Sequence, residues 1–499
     1  MAKWTVKLDD LPHGGLAPDF FREAYPKFGN SNQAGEMEAM DLTNPGYIQP
    51  GPAVVVYPGG AAAVTKTITA ITNTEIADQS LGFGGNQIYQ MYTSASLVHT
   101  VSATSGTLSS HDMVKYQGNH YYAWESTDGG EANIGKFDGT STYTDSWWTG
   151  TLSATALQTS PKYIPMEVGN NDVMYFGNRR YVGSYDGTTA LDKALDLPTG
   201  YEVADLTWLN DRLYIPTNYN DSNIAFGSVY IWDGTTNSWE AEIPVVGTLG
   251  GGIENNGTYY QFYFDRNGEG RLARMDGNRF ADLTRYPSLI TPGYAYGNYP
   301  NSSLPSGNQI TVHKDYLLWM AGAGNDIWGY GPLSNGGAKL FKFADARQNG
   351  TLEGGVLSNA VTNPGILFSS GAQLYSLDTY GEDGTLTYET ASSWKSTLFD
   401  ITGDRINAGQ VNGIRFNFEA LTSGAALNWS LVNNQGKTIY SDTISYAKAT
   451  ASSPLHTLTT AFYPLNGLVT DNFRVELDFS NGSTTAPVRV MNIKCYGEG

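Results

Sequence analysis

Short apolar runs recur along the middle of the chain. They are Leu81-Gly82-Phe83, Tyr121-Tyr122-Ala123-Trp124, Val173-Met174-Tyr175-Phe176, Leu213-Tyr214-Ile215, Tyr259-Tyr260-Gln261-Phe262, Leu317-Leu318-Trp319 and Ile366-Leu367-Phe368. Several follow a turn signal: Gly118-Asn119, Asn171-Asp172, Asn210-Asp211, Asn256-Gly257 or Lys314-Asp315. Runs this short, rich in aromatic and branched side chains, predict strands. A second strand is expected after each, at Ile88-Tyr89, Lys136-Phe137, Ser184-Tyr185, Ile231-Trp232, Arg274-Met275, Phe341-Lys342-Phe343 and Tyr375-Ser376-Leu377. Four of these run straight into Asp-Gly, at Asp138, Asp186, Asp233 and Asp276, which are 48, 47 and 43 residues apart.

Asp-Gly favours tight hairpins because glycine takes positive φ without a Cβ penalty. A period of about 45 residues with two or more strands per unit matches the blade of a β-propeller. One blade leaves both faces wet, so ring closure is what buries the aromatics. Seven landmark pairs across residues 53–391 predict about seven blades; six or eight also fit the uneven later spacings.

From 392 to 499 the pattern alternates with period two. Ile414, Phe416 and Phe418, then Leu427, Trp429 and Leu431, then Phe473, Val475, Leu477 and Phe479, and finally Val488 and Val490, alternate with other residues. Each strand then has one core face. An antiparallel β-sandwich or jelly roll is expected. Residues 1–52 show neither period and are dense in turn formers such as Pro12-His13-Gly14-Gly15 and Asn44-Pro45-Gly46. They are expected to form an extended arm. Its aromatics Trp4, Phe20, Phe21, Tyr25 and Phe28 need cover, and two readings stand. The arm wraps its own domain, or it docks on a neighbouring subunit.

Composition agrees with an all-β chain: 33 Tyr, 19 Phe, 11 Trp and 58 Gly, with 15% charged residues. Acidic residues outnumber basic ones 48 to 29, a net charge of −19, which argues against sequence-specific nucleic-acid binding. The lone Cys495 excludes an internal disulfide framework and a cysteine zinc site. That fits folding in a reducing cytoplasm. Residues Met1 to Lys7 do not open a signal peptide, and no apolar stretch is long enough to insert in a membrane.

Candidate chemistry is sparse. The six histidines are scattered without zinc spacing, and His120, beside a strand, reads as a structural histidine. Nucleophile-elbow and phosphate-loop motifs are absent, and Gly247 to Gly252 precedes more strand rather than a helix. Tyr185-Asp186-Gly187-Thr188 has the wrong gap for a sialidase blade signature. The oxygen-rich loops Asp265–Gly270 and Asp378 to Asp383 lack the spacing of an EF-hand and read as hairpin turns. No catalytic, cofactor-binding or metal-ligating residue is assigned, and the protein is expected not to be an enzyme. Trp147, Trp148, Tyr294, Tyr296 and Tyr299 are candidates for stacking on a glycan, with inter-blade packing the alternative for the paired tryptophans.

Two terminal segments carry a resemblance. Gly14-Gly15-Leu16-Ala17-Pro18 and Asp41-Leu42-Thr43-Asn44-Pro45-Gly46-Tyr47 resemble the arm that opens a set of phage propeller proteins. Trp394 to Ile401, followed by Val411-Asn412-Gly413-Ile414-Arg415, resembles their junction to a terminal sandwich. Nearly the whole chain thus resembles virion structural proteins of tailed bacteriophages. The resemblance implies a tail or head–tail connector component, such as a nozzle, adaptor or fibre part. It also implies portal, adaptor or tail proteins as partners, a homo-oligomer, and assembly into the virion in the bacterial host cytoplasm. Acidity would suit the lining of a DNA passage. The alternative function is receptor binding to a host-surface glycan.

Overall fold

The computed structural model describes residues 3–8, 34–42, 47–57, 64–72, 80–91, 95–102, 106–126, 130–158, 163–219, 226–286, 305–313, 315–321, 326–333, 338–344, 354–359, 365–378, 388–400, 409–446, 460–470, 472–483 and 485–498. Within them nearly all regular structure is antiparallel strand. The first five strands are β1 (Lys3–Leu8), β2 (Ala34–Glu38), β3 (Met40–Asp41), β4 (Gln49–Pro50) and β5 (Val54–Val56).

Blade sheets follow in order. Blade 1 holds β6 (Ala70–Thr72), β7 (Leu81–Gly84), β8 (Gln87–Met91) and β9 (Ala95–Thr100). Blade 2 holds β10 (Leu108–Tyr116), β11 (Asn119–Ser126), β12 (Ala132–Phe137) and β13 (Tyr143–Thr144). Blade 3 holds β14 (Met166–Gly169), β15 (Val173–Asn178), β16 (Tyr181–Tyr185) and β17 (Ala190–Asp196). In blade 4 the first strand is split into β18 (Tyr201–Val203) and β19 (Thr207–Leu209), before β20 (Arg212–Tyr219), β21 (Gly227–Trp232) and β22 (Ala241–Val245). Blade 5 holds β23 (Gly247–Asn255), β24 (Thr258–Asp265), β25 (Gly270–Asp276) and β26 (Arg279–Tyr286). Blade 6 holds β27 (Ile310–His313), β28 (Tyr316–Ala321), β29 (Asp326–Pro332) and β30 (Ala338–Ala344). Blade 7 holds β31 (Gly354–Asn359), β32 (Gly365–Ser370) and β33 (Gln373–Asp378), with β5 as its outer strand.

Packing divides the chain into two compact units: Val55–Asn325 with Ala346–Leu377, and Met1–Val54 with Asp326–Asp345 and Asp378–Gly499. In the first, the leading strand of each sheet lies against that of the next. The order β6, β10, β14, β19, β23, β27, β31 returns to β6. The chain is an all-β propeller, and these leading strands line its centre.

Each apolar run seen in the sequence is the second strand of a blade, covered on both faces by neighbouring sheets. The second landmarks fall on third strands, with one exception. In blade 6, Phe341-Lys342-Phe343 is the fourth strand, and the third is β29. The Asp-Gly turns join third to fourth strands. Gly139, Gly187, Gly234 and Gly277 take φ of 80°, 95°, 79° and 62°. The Asp138 carboxylate accepts the N–H groups of Thr140, Ser141 and Thr142, and Asp186 accepts those of Thr188 and Thr189. These bonds hold both carboxyls below the usual carboxylate range. Cross-strand partners set part of the blade packing. Tyr122 faces Gly135 and Phe176 faces Gly183, and a Cβ on either glycine would fall about 2.1 Å from the ring opposite.

The second unit contains the sandwich strands β34 (Ala391–Ser396), β35 (Phe399–Asp400), β36 (Gly409–Phe418), β37 (Ala426–Val432), β38 (Thr438–Ser445), β39 (Thr460–Thr470), β40 (Asn472–Ser480) and β41 (Val490–Glu498). One sheet runs β1-β41-β36-β39; the other runs β2-β34-β40-β37-β38, with β35 also on β40. The alternating residues face inward as expected: Trp429 packs 5.0 Å from Phe416 and 5.0 Å from Tyr463. Two strands of the stretch expected as an arm belong to these sheets. β1 pairs Trp4 with Gly497, and β2 pairs Met37 with Trp394.

Candidate functional site

The paired tryptophans are interior. They open a π-helical turn, Trp147–Thr151, after β13. Trp147 stands edge-on to Tyr121 at 4.8 Å and to Tyr185 at 5.0 Å. Trp148 stands edge-on to Phe176 at 4.7 Å, and its Nε1 donates to the Thr155 carbonyl. Their relative exposures are 3% and 0%. The adjacent polar groups are also engaged internally. Asp145 accepts from the Tyr122 hydroxyl and the Ser102 N–H, and Thr149 accepts from Asn133. A ring without an exposed face cannot stack on a sugar, so both residues leave the set of glycan candidates. They are the packing between blades 2 and 3.

Other candidates are placed as follows. Trp4 lies on β1, whereas Phe20, Phe21, Tyr25, Phe28, Tyr294, Tyr296 and Tyr299 lie outside the described residues. His120 is buried, with Nδ1 3.2 Å from the Thr72 hydroxyl, and burial followed by the Lys115 charge lowers its pKa to about 4. Asp265 pairs with Arg271 and caps the N–H groups of Asn267 and Glu269, as a hairpin turn does. Among the described residues no three His, Cys, Asp or Glu side chains converge as a cation site. No helix there is long and apolar enough to cross a membrane.

The most concentrated unusual chemistry lies at the propeller centre, on residues that no sequence motif marks. Asp112 on β10 accepts the N–H of Met166 at 2.7 Å, Glu167 on β14 accepts the N–H of Trp208, and Asp205 accepts the N–H of Gly252 at 2.8 Å. Each carboxyl thereby ties its blade to the leading strand of the next. A bulge in β10 at Ser110/Met113 and the break between β18 and β19 turn Asp112 and Asp205 toward those amides. Serine and threonine act similarly elsewhere: Ser369 of blade 7 accepts the Ile68 N–H, and Thr69 donates to Ser110.

A short segment crosses this centre. Residues 305–309 precede β27 and contain a 3₁₀ turn, Gly307–Gln309, closed by a Ser306/Gln309 capping box. The turn packs on β23 and β31. Gly251 N–H donates to the Pro305 carbonyl at 2.8 Å. Asn308 Nδ2 reaches Asp112 Oδ1 at 2.9 Å and the Tyr163 hydroxyl at 2.6 Å. Gly307 lies against Asp205 so closely that a Cβ would stand 2.6 Å from its carboxylate. Blades 2, 4, 5 and 7 thus all touch one plug.

Burial dominates the electrostatics. It raises Asp112 to about 6, against hydrogen bonds that lower it. Glu167 rises to about 8 through burial and then through the charges of Asp205 and Asp112. Asp205 also rises to about 8, chiefly by burial. Burial and mutual repulsion thus favour the neutral forms of Glu167 and Asp205 near neutral pH.

No family model matches the chain, and no curated protein matches it. Solved structures are similar at low identity. A chain of the crystal structure of the Mitotic Checkpoint Complex is 12% identical with a TM-score of 0.41, covering 65% of this chain and 92% of that one. The crystal structure of Saccharomyces cerevisiae Sqt1 is 11% identical with a TM-score of 0.39, covering 63% and 96%. A protein of unknown function from Bacteroides caccae is 12% identical with a TM-score of 0.31, covering 44% and 81%.

Proposed function

We propose that this protein is a non-enzymatic structural component of a tailed-phage particle, in the tail or head–tail connector, present in several copies. One observation carries the non-enzymatic reading: the central carboxyls Asp112, Glu167 and Asp205 are each engaged in holding blade to blade. The particle assignment is supported by the resemblance of the two terminal segments. Portal, adaptor or tail proteins are the proposed neighbours, with assembly in the host cytoplasm. The proposed docking element is the stretch 9–33, which carries Phe20, Phe21, Tyr25 and Phe28 between two strands of the sandwich unit. A DNA passage, if the acidity serves one, would be formed between copies, because the propeller's own centre holds Asn308 against Asp112. The receptor-binding alternative, after the loss of Trp147 and Trp148, rests on Tyr294, Tyr296 and Tyr299.

A variant with Phe20, Phe21, Tyr25 and Phe28 all changed to serine tests the docking element. The expected protein melts as the wild type does, yet fails to enter particles when supplied to a phage lacking the native copy. Normal incorporation of that variant would remove the stretch from the docking role.

A further inference from the structure

We propose that the sandwich stacks head to tail between copies of this chain. The outer face of the sheet β1-β41-β36-β39 in one copy seats on the outer face of the sheet β2-β34-β40-β37-β38 in the next. This rests on the reading that the protein works in several copies, and adds which faces meet. Strand register sets the charge of each face. Across the first sheet Lys7 stands opposite Lys494, and Lys494 opposite Arg415, so three cationic residues share one row on adjacent strands. Lys3 belongs to the same face, two rows away and opposite Glu498. Like charges directly opposite one another destabilise a sheet. In a chain of net charge −19, an acidic surface of a second copy is at hand to lie over that row and offset the cost.

The residues around this row have the make-up of an interface. Arg415 is exposed, its guanidinium 5.7 Å from the centre of the Phe462 ring, and Phe462 stands edge-on to Tyr496 at 6.2 Å. The ring lies over Gly413, where a Cβ would come within 2.7 Å of it, yet Phe462 remains 51% exposed. Val469, opposite Gln410 on the same face, is 61% exposed. Arginine and aromatic side chains are enriched where protein surfaces meet. The other sheet carries the opposite sign. Glu36 stands opposite Lys395 and Lys395 opposite Glu476, while Glu38 stands opposite Ser393 and Ser393 opposite the exposed Asp478. Arg474 on that face pairs with Glu476. Carboxylates therefore outnumber cations there, and cations outnumber carboxylates on the first sheet. The inner faces pack on each other through Trp429, Phe416 and Tyr463, so the two outer faces point away from one another. One copy cannot bring them together. Pairing between copies is heterologous, which adds subunits in one direction and closes a ring when the rotation allows.

Sedimentation velocity on the full chain tests the stacking. The wild type is expected to associate as its concentration rises, and less so at ~0.5 M salt, where screening leaves only the shortest charge contacts. Arg415→Glu or Asp478→Lys alone should weaken self-association at least ~10-fold, as loss of a close interfacial charge pair does. Both side chains are exposed, so each variant should melt as the wild type does. Mixed in equal amounts, the two variants should form a heterodimer, because each keeps the face that the other has lost. A residue with a merely structural role would not be rescued in this way. If either variant fails to fold, Phe462→Ser takes its place and should weaken association to a similar degree. A wild type that stays monomeric, association untouched by both reversals, or a mixture that does not pair would overturn the proposal. So would a duplex DNA probe that binds the wild type but not Arg415→Glu, because the row would then belong to phosphates. Arg415→Glu chains that enter phage particles in normal amount would remove the stacking and leave the particle reading. Wild-type chains that stack in solution yet never enter particles would do the reverse.

Discussion

Replacing Trp148 with alanine is expected to cost about 3–5 kcal/mol of unfolding free energy, the range for emptying a buried aromatic site. The indole is fully buried in the cluster formed by Trp147, Tyr121, Phe176 and Tyr185, and it bridges two blades. Truncation leaves a cavity, the carbonyl of Thr155 loses its donor, and the edge contact to Phe176 disappears. Neighbouring blades cannot close the gap readily, because the strand ladders of β11 and β15 fix the facing surfaces. Urea denaturation followed by far-ultraviolet circular dichroism measures the loss. A cost below about 1 kcal/mol would mean that the side chain is not in this core. Any fall in binding to host cells by this variant should track its unfolded fraction.

Acidification from pH 8 to pH 5 is expected to stabilise the propeller. Asp112, Glu167 and Asp205 have folded pKa values raised above their unfolded ones, so the folded state binds more protons between those values. Their contribution is complete below about pH 4 and is lost as pH rises through about 6 for Asp112 and about 8 for the other two. Each carboxyl contributes ~1.4 kcal/mol per pH unit over which only the unfolded chain has ionised. Asp138 and Asp186 have the opposite sign. Their turns are lost as pH falls below the usual carboxylate range, so the maximum should lie on the mildly acidic side. Asp205→Asn keeps an acceptor for the Gly252 N–H but removes the titration, and should cut the slope between pH 6 and pH 8 by roughly half. A wild-type stability that rises from pH 5 to pH 8 would contradict the protonated centre.

The second strands were legible because burial on both faces demands continuous apolar runs such as Tyr121 to Trp124. The leading strands were not. β10 reads Leu-Ser-Ser-His-Asp-Met-Val-Lys-Tyr and β23 begins Gly-Thr-Leu-Gly-Gly-Gly, because bulges and the central plug replace regular apolar contact. The three central acids went unnoticed for the same reason, although each sits six to nine residues ahead of its blade's apolar run. In blade 6 the third strand, Asp326–Pro332, carries two glycines and a proline and resembles a turn. Phe341-Lys342-Phe343 looked like the better strand, and its lysine is buried 3.3 Å from Asp326. Trp147 and Trp148 misled because their neighbours are polar in sequence, yet those polar groups point inward to Asn133, Tyr122 and Ser102. β1 alternates Trp4, Val6 and Leu8 with Lys3, Thr5 and Lys7, but this one short run stands alone before a turn-rich stretch, and the partners of β1 and β2, the strands β41 and β34, come from the far end of the chain.

The central claim is that this chain is a built-in part of a phage particle. Immunogold labelling of purified particles from the source culture, with antibody raised against the recombinant chain, addresses it most directly. Gold at the head–tail junction or along the tail is the predicted result. Particles that carry no gold, while the antibody still recognises the chain in the lysate, would contradict it.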